Sequence, residues 1–247
     1  MMNSLDGKTV LVTGGASGIG RSISLTFSRA GAKVVVSDCD AEGGGETVEM
    51  ATAQGGDAVF IPANVAKSID VKEMVAQTIQ TYGRLDCAVN NAGVGPGPRV
   101  ALHDFPDEKW QEVIDINLTG VWLCMKYEIV EMLKLGGGAI VNTASVMGLV
   151  GAWGRGAIAY TAAKHGVIGL TKQAALEYAS KGLRVNAVCP GFIATPMVQE
   201  IFQAVPDVEK SVVMRHPVGR LGRPQEIAEA VVWLCSDAAS FVTGHSM

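Results

Sequence analysis

The sequence has 247 residues, of which 48% are hydrophobic and 18% are charged, and its formal net charge is -4 at pH 7. This composition is typical of one globular domain with a well-filled core, and it excludes a disordered or coiled-coil chain. The acidic balance predicts no nucleic-acid partner, and the lack of a signal-peptide pattern or of an apolar run near ~20 residues predicts no membrane partner.

Neither the cysteines nor the histidines form a metal-binding pattern. The five cysteines are scattered, mostly within apolar runs, at Cys39, Cys87, Cys124, Cys189 and Cys235. They are typical of reduced packing residues in a cytoplasmic protein. The four histidines have no ligand spacing with one another or with cysteine, so we predict no metal site.

A glycine-rich turn follows the first predicted strand, an apolar run at residues 8–14. An amphipathic helix then runs from about Arg21 to Arg29. Such a turn binds a dinucleotide pyrophosphate, because glycines let the backbone approach and the helix N-terminus supplies free N–H groups. The spacing is G-x-x-x-G-x-G rather than the common G-x-G-x-x-G, and a plain tight turn is the alternative. The predicted cofactor contacts here are Gly14, Ser17, Gly18, Ile19 and Gly20.

The second predicted strand, residues 33–38, ends in Asp38, 18 residues beyond Gly20. An acid in this position accepts hydrogen bonds from the adenosine ribose and repels a 2′-phosphate. No arginine or lysine stands beside it, since Cys39 follows. We therefore predict NAD(H) rather than NADP(H) as the cofactor. Helix capping by Asp38 or Asp40 is the alternative role.

Alternating strand and helix patterns continue along the chain. Further strand-like runs occur at 58–64, 85–91, 138–145 and 183–189. Apolar strands separated by helices predict an α/β fold with a doubly wound, mostly parallel, Rossmann-like sheet, in a single domain over residues 1–247.

One long stretch, residues 192–222, separates the sixth strand from the last predicted helix. Ligands bind beyond the carboxyl ends of the strands in such sheets, so we predict a substrate lid there, with plain surface packing as the alternative. Two glycine runs, at 43–45 and 136–138, are predicted to be turns and caps at helix boundaries.

Tyr160 and Lys164 are four residues apart in a predicted helix. A free tyrosine hydroxyl titrates near pH ~10, but a lysine ammonium on the same helix face stabilises the phenolate. The pair therefore predicts a general acid/base at Tyr160. Alone, the Y-x-x-x-K pattern is weak, and a solvated helix face is the alternative.

Together, and in this order, the motifs resemble those of the short-chain dehydrogenase/reductase family, in its single-domain branch. Residues 13–20 are similar to its cofactor turn, and residues 90–93 to its N-N-A-G segment. Asn117 matches the helix asparagine, Ser145 the catalytic serine, and residues 190–196 the loop beside nicotinamide. The resemblance covers essentially the whole chain.

The resemblance implies roles for these residues in hydride transfer with nicotinamide. The catalytic set is Asn117, Ser145, Tyr160 and Lys164, in which Ser145 polarises the substrate oxygen and Asn117 holds a water that links Lys164 to solvent. A strand-end turn for Ser145 and a satisfied helix amide for Asn117 are the alternatives. The further cofactor contacts are Asn64, Val65, Asn91, Ala92, Gly93, Tyr160, Lys164, Pro190, Gly191, Ile193 and Thr195.

The chain departs from the family pattern at two internal places. Asn64 stands where the family usually has an aspartate that contacts adenine, and its amide can still accept a hydrogen bond. Ser145 and Tyr160 are 15 residues apart, about two more than usual, and the extra residues fall in 151–157 beside the substrate. We expect the catalytic geometry to survive and the rim of the pocket to change.

The predicted substrate pocket is apolar, which favours a secondary alcohol or cyclic ketone. Its contacts are Ser145, Met147, Trp153, Tyr160, Met197 and Phe202. The leading interpretation is an NAD-dependent alcohol dehydrogenase or ketone reductase of small or cyclic substrates. One alternative is a 3-oxoacyl carrier-protein reductase, which Asp38 disfavours because reductive biosynthesis usually draws on NADPH. The other is a catalytically silent dinucleotide-binding scaffold, which would not need all four catalytic residues.

The chain stops at Met247, where the family continues into a final strand. Because 240–243 is too short for that strand, we predict that further residues are truncated or disordered, and that their absence leaves an unpaired sheet edge. The resemblance also implies a homotetramer, with a helix near 224–235 at an interface. Its apolar Ile227, Ala230, Val231 and Leu234 fit such a contact, and core packing within one chain explains them equally well.

Overall fold

The structure of the protein, a computed structural model, describes residues 5–151, 155–204 and 208–247. The strands are β1 (Thr9–Thr13), β2 (Lys33–Asp38), β3 (Asp57–Pro62), β4 (Cys87–Asn90), β5 (Gly138–Thr143) and β6 (Leu183–Val188). The α-helices are α1 (Gly18–Arg29), α2 (Ala41–Ala53), α3 (Ser68–Tyr82), α4 (Asp107–Ile114), α5 (Gly120–Lys134), α6 (Ile158–Tyr178), α7 (Pro196–Ala204), α8 (Val208–Met214) and α9 (Pro224–Cys235).

The six strands form one parallel sheet in the order β3-β2-β1-β4-β5-β6. This confirms the doubly wound α/β fold that the sequence predicts. The strands are short apolar runs because both faces of the sheet are covered, as the full burial of Val10, Leu11 and Val12 in β1 shows. The strand order reverses between β1 and β4, which opens a crevice at the carboxyl ends of these two strands.

Two hydrophobic cores lie on opposite faces of the sheet. Alternate residues of one strand enter different cores, so that Leu11 packs on one side and Val10 and Val12 on the other. The first core contains Met74 of α3, Ile129 of α5 and Val167 of α6, and the second contains Phe27 of α1, Ala51 of α2 and Val231 of α9. Full burial of a side chain such as Phe27 stabilises the fold by ~1.5–3 kcal/mol.

The stretch 192–222 leaves the sheet and returns to its starting point. A parallel bridge joins Ile193 to Gly222 at its base, with hydrogen bonds from Ala194 N to Gly222 O (2.9 Å) and from Gly222 N to Phe192 O (3.0 Å). Helices α7 and α8 lie within it. This closed excursion starts at the carboxyl end of β6, and its role as a lid stays a prediction.

The last residues of the chain pair with the outer edge of β6. Gly244 N donates to Val185 O (2.8 Å), Ala187 N to His245 O (2.8 Å) and Met247 N to Ala187 O (2.9 Å). The expectation of an unpaired edge is therefore wrong over this stretch. The pairing starts after residue 243, beyond the short segment 240–243 on which that expectation rested.

Helix α9 packs against α1 within the chain. Val231 and Leu234 are fully buried there, whereas Ile227 and Ala230 are half-buried. Core packing within one chain therefore explains the burial of Val231 and Leu234. None of the described helices is long and apolar enough to cross a membrane.

The first glycine run does not form a turn, because residues 43–45 lie in the first turns of α2. The helix passes so close to its neighbours that a Cβ at Gly44 would lie 2.1 Å from the Phe60 ring. Gly45 faces open space, and a Cβ there would have nothing within 4 Å. The second run behaves as predicted, since Gly136 and Gly137 have positive φ angles directly after α5.

The neighbouring glycines of α2 are expected to respond to alanine in opposite directions. Gly44→Ala should lower the free energy of unfolding by ~1–3 kcal/mol, because the Phe60 ring must move. Gly45→Ala should raise it by ~0.5–1 kcal/mol, because alanine favours the helix and meets no neighbour. Urea unfolding of both variants and the wild type measures the two changes. Equal effects of the two substitutions would contradict the difference in packing.

Candidate active site

A cleft with a volume of about 420 Å³ opens beyond the carboxyl ends of the strands. Its lining comes from the segments that follow them, such as Gly14 after β1, Asp38 at the end of β2 and Ser145 after β5. Every residue that the sequence predicts as a cofactor contact lines this cleft: Gly14, Ser17, Gly18, Ile19, Gly20, Asp38, Asn64, Val65, Asn91, Ala92, Gly93, Tyr160, Lys164, Pro190, Gly191, Ile193 and Thr195. They meet because parallel strands end at one edge of the sheet.

The glycine turn leaves no space for side chains. A Cβ at Gly20 would lie 1.9 Å from the Gly14 carbonyl oxygen, and one at Gly14 would lie 2.7 Å from Ala92 Cα. Gly14 and Gly18 also have positive φ angles, 66° and 52°. The Ser17 side chain makes no capping bond, so the first N–H groups of α1 are available to an anionic acceptor. The turn therefore fits the pyrophosphate of a dinucleotide.

The Asn91 side chain joins the glycine turn to β5. Its Nδ2 donates to the carbonyl oxygens of Thr13 and Gly14, both at 3.2 Å, and its Oδ1 accepts from Thr143 Oγ1 at 3.3 Å. Thr13 Oγ1 in turn accepts from the backbone N–H groups of Asn91 (3.0 Å) and Ala92 (3.2 Å). These bonds fix three strand ends, those of β1, β4 and β5, relative to one another.

Arg21 braces the turn from the other side, a role that the sequence did not indicate. Its Nη2 donates to the Ala16 carbonyl, to Gly43 O (3.1 Å) and to Glu46 (2.7 Å), and its Nε donates to Thr47 Oγ1 (3.0 Å). The guanidinium thus connects the loop before α1 to the start of α2.

Asp38 points its carboxylate at the cleft. One oxygen accepts from Ala16 N (3.0 Å) and the other from Asp40 N (3.1 Å). The capping role belongs to Asp40, whose Oδ1 accepts from Gly43 N at the start of α2 (3.1 Å). Asp38 therefore remains available to a ligand, with unused lone pairs on both oxygens.

Asn64 reaches the cleft from the end of β3. Its Oδ1 accepts from Ala66 N at 3.0 Å, and its backbone N–H donates to Asp70 Oδ2 at 3.2 Å. The side chain thus organises the start of α3, and one oxygen lone pair remains for a ligand. Its contact with adenine stays a prediction.

Tyr160, Lys164 and Ser145 converge at the inner end of the cleft. Lys164 Nζ lies 5.5 Å from the centre of the Tyr160 ring and donates to Thr143 O at 2.6 Å. Ser145 Oγ accepts from Met147 N at 3.1 Å, which fixes its direction at the end of β5. The four-residue spacing therefore places the ammonium beside the phenol, as the helix geometry predicts.

Burial dominates the electrostatics of this group. It raises the pKa of Tyr160, and the hydrogen bond with Ser145 lowers it in part. It lowers the pKa of Lys164 to about 8, and the electrostatic interaction with the neighbouring Cys189 acts in the opposite direction. Burial also raises the pKa of Cys189, against the effects of the Ser145 backbone and of Lys164. A lysine that is 3% exposed thus loses its charge as pH rises through about 8.

Asn117 lies behind the catalytic group, in a π-helical turn at Asp115–Thr119. Its Oδ1 accepts from Val94 N at 2.8 Å and its Nδ2 donates to Val94 O at 2.9 Å. The amide is fully buried, and it holds the segment after the N-N-A-G motif in place. The contacts of the side chain match the satisfied-amide alternative, and the water link to Lys164 stays a prediction.

The predicted substrate contacts only partly line the cleft. Ser145, Tyr160 and Met197 do, whereas Met147 and Phe202 do not, and Trp153 lies outside the described residues. Only the first turn of α7 reaches the cleft, so Phe202, later in the helix, is too far along. Val94 also lines the cleft, as do Pro196 and Val198 from the predicted lid. Further lining residues were not predicted from the sequence: Ser37, Cys39, Ala63, Ile116, Thr143 and Ala144. Several could have been found, because they end or follow predicted strands.

In the described part of the chain, no three His, Cys, Asp or Glu residues group as metal ligands. The cleft itself contains one basic and one acidic side chain among its described lining, Lys164 and Asp38. The site therefore offers hydroxyls, an ammonium and a carboxylate for its chemistry.

A family model described as Enoyl-(Acyl carrier protein) reductase matches residues 14–247. Cyclohexanol dehydrogenase of Acinetobacter sp. (strain SE19) is 46% identical over 244 residues, which cover 99% of this chain and 94% of that protein. The chain belongs to the short-chain dehydrogenase/reductase family. It is accordingly an oxidoreductase that uses NAD(P)(H), and the resemblance predicted from its motifs is confirmed.

Two further short-chain dehydrogenase/reductase relatives extend over almost the whole chain. The 2,5-dichloro-2,5-cyclohexadiene-1,4-diol dehydrogenase of Sphingobium indicum (strain DSM 16412 / CCM 7286 / MTCC 6364 / B90A) is 46% identical over 247 residues, which cover 100% of this chain and 96% of that protein. The crystal structure of levodione reductase superposes with a TM-score of 0.92 at 36% identity, covering 98% of this chain and 95% of that one. The fold and its strand order are therefore those of the family.

Proposed function

We propose that this protein is an NAD-dependent dehydrogenase that interconverts a small or cyclic secondary alcohol and its ketone. The observation that supports it most is the convergence of Tyr160, Lys164 and Ser145 in one cleft with the glycine turn and Asp38. The two dehydrogenases named above act, by their names, on six-membered rings that carry hydroxyl groups. The compartment we propose is the cytoplasm, since the scattered thiols are free.

The chain's own residues supply proton transfer and positioning. Tyr160 would take the hydroxyl proton of an alcohol, or return it to a ketone oxygen. Ser145 would hold that oxygen beside the phenol, and Lys164 would stabilise the phenolate with its charge. The bound nicotinamide supplies the acceptor or donor of the hydride. Gly14 and the N-terminus of α1 would hold the pyrophosphate.

Asp38 favours NAD(H) over NADP(H). Its carboxylate lies in the cleft with Cys39, and the described lining contains no arginine that could bind a 2′-phosphate. A phosphate there would approach a fixed negative charge. The two ribose hydroxyls of NAD(H) would instead donate to the free lone pairs of Asp38.

The substrate end of the cleft is apolar. Val94, Ile116, Met197 and Val198 line the cleft together with the catalytic hydroxyls, and we assign them to the substrate end. Such a surface favours a compact hydrocarbon ring and offers no cation for a carboxylate or phosphate other than Lys164 among the described residues. Helix α7 contributes Met197, so we propose that the stretch 192–222 covers the substrate as a lid.

Tyr160→Phe should retain the fold and NADH binding but lower turnover at least ~10²-fold, because the proton donor and acceptor is lost. The matched control is Tyr178→Phe at the end of the same helix, away from the cleft, which should keep wild-type turnover. Oxidation of cyclohexanol and reduction of a panel of cyclic ketones and 3-oxoacyl thioesters measure the effect. If the Tyr160→Phe variant kept most of its activity with unchanged NADH binding, the role of Tyr160 would be refuted. Wild-type activity on thioesters alone would favour a 3-oxoacyl carrier-protein reductase.

Titration of NADH and NADPH into the wild type should show NADH binding at least ~10-fold tighter, because of charge repulsion at Asp38. Asp38→Asn retains an acceptor for Ala16 N and removes the charge, so it should reduce the difference in affinity between NADH and NADPH. Asp38→Ala should reduce this difference too, and it should also weaken the binding of NADH. Cys39→Arg in addition to Asp38→Asn should favour NADPH further. Equal or tighter binding of NADPH by the wild type would overturn this assignment.

We further propose that the protein forms a homotetramer, as the family resemblance implies. Trp233 on α9 is partly exposed and Phe241 beyond it is fully exposed, and a neighbouring subunit can cover such apolar side chains. Light scattering should give the mass of four 25.8-kDa chains. Phe241→Glu should lower that mass, whereas Ile69→Glu on α3 should not. A monomer in the wild type would contradict the proposal.

A further inference from the structure

A carboxyl group is buried beneath the catalytic cleft and takes no part in the proposed chemistry. Glu128 on α5 is 0% exposed, and its Oε2 accepts a hydrogen bond from Asn90 Nδ2 at 3.1 Å. The same Nδ2 donates to Asn142 Oδ1 at 3.0 Å, and Asn142 Nδ2 donates to Thr171 Oγ1 at 3.0 Å. One polar layer thus joins α5, β4, β5 and α6 inside the hydrophobic core.

Two oxygens of this layer have no hydrogen-bond partner in the described part of the chain. They are Glu128 Oε1 and Asn90 Oδ1, which belong to two groups already joined by the 3.1 Å bond. An ionised carboxylate and an amide oxygen are both acceptors, so neither can satisfy the other. A single proton on Glu128 would turn one of the two acceptors into a donor, and a hydrogen bond between them would then satisfy both oxygens.

The surroundings of Glu128 disfavour its charge. Its titratable neighbour on α5 is Cys124, a fully buried thiol. Its hydrogen-bond partner from β4 is the neutral Asn90, and the layer continues through the neutral Asn142 of β5 and Thr171 of α6. Burial raises the pKa of Glu128 to about 8, and the bond from Asn90 lowers it only in part. No cation within the described layer compensates a negative charge.

We propose that Glu128 carries a proton in the native protein and donates it to the Asn90 amide oxygen, as a positioning residue for the active site. Asn90 precedes Asn91, which holds the glycine turn, and Asn142 precedes Thr143, whose carbonyl accepts from Lys164 Nζ. A fixed Glu128–Asn90 pair therefore fixes the ends of β4 and β5. This role rests on the proposed function, whereas the protonation of Glu128 does not.

The proton on Glu128 has a thermodynamic signature. The folded-state pKa lies above that of an unfolded glutamate, so the stability from this proton is fully present below the unfolded pKa and is lost as pH rises through about 8. Glu128→Gln keeps a donor and an acceptor at every pH. The Tm of the Glu128→Gln variant minus that of the wild type should therefore rise by at least ~3 °C from about pH 5 to about pH 9.

The control is Glu49→Gln, an exposed glutamate on α2. The Tm of this variant minus that of the wild type should stay constant over the same pH range, because the effects of titratable groups common to both proteins cancel. If the Tm difference between Glu128→Gln and the wild type did not change across this pH range, the proposal that Glu128 is protonated would be wrong. This measurement needs no substrate, so it decides the point even if the proposed activity is absent.

The positioning role is tested by turnover. Glu128→Leu removes the donor and the acceptor. It should lower kcat ~10-fold with little change in KM for the alcohol, because catalytic groups that are out of position slow the chemical step. Glu128→Gln should keep kcat within ~2-fold of the wild type at neutral pH. Above about pH 8 the variant should lose less activity than the wild type, because both proteins lose the charge of Lys164 but only the wild type also ionises Glu128. A lower Tm for Glu128→Leu with an unchanged kcat would show that the residue is structural only.

Discussion

The close approach of the backbone between the glycine turn and the end of β4 is the constraint on which the site depends. A Cβ at Gly14 would lie 2.7 Å from Ala92 Cα, and one at Gly20 would lie 1.9 Å from Gly14 O. The approach leaves room for the Asn91 amide to bind Thr13 and Gly14 together. Backbone contact of this kind holds the first turn of α1 in line with the cleft, which is where an anionic ligand needs it.

The catalytic group depends on the same edge of the sheet in a different way. Thr143 ends β5, and its two polar groups face different partners: its hydroxyl donates to Asn91 and its carbonyl accepts from Lys164. A lysine buried to 3% exposure costs free energy to keep charged, and the 2.6 Å bond to a carbonyl offsets part of that cost. The ammonium is thereby held in one place beside Tyr160.

Polar layers rather than apolar packing fix the relative positions of β4 and β5 beneath the cleft. Asn90 and Asn142 lie side by side in the parallel register and are both almost completely buried. Apolar side chains could fill the same volume, but they would not select one alignment of the strand ends. The hydrogen bonds among Asn90, Asn142 and Glu128 select one alignment, and they thereby connect the core of the protein to the geometry of its site.

The sequence by itself determined the strands, the glycine turn and the identity of most residues that line the cleft. Apolar runs bounded by glycines predict parallel strands, and strand ends predict the site, because in such a sheet all ligand-facing segments meet at one edge. Helical periodicity placed Tyr160 and Lys164 on one helix face, and the accompanying family motifs identified them as the catalytic pair. The tertiary structure decided the hydrogen bonds between segments that are distant in the chain. These bonds join Arg21 to Gly43, Asn117 to Val94, Glu128 to Asn90, and the last residues to β6. No local pattern predicts these contacts, since they arise only when packing brings segments far apart in the chain within hydrogen-bonding distance.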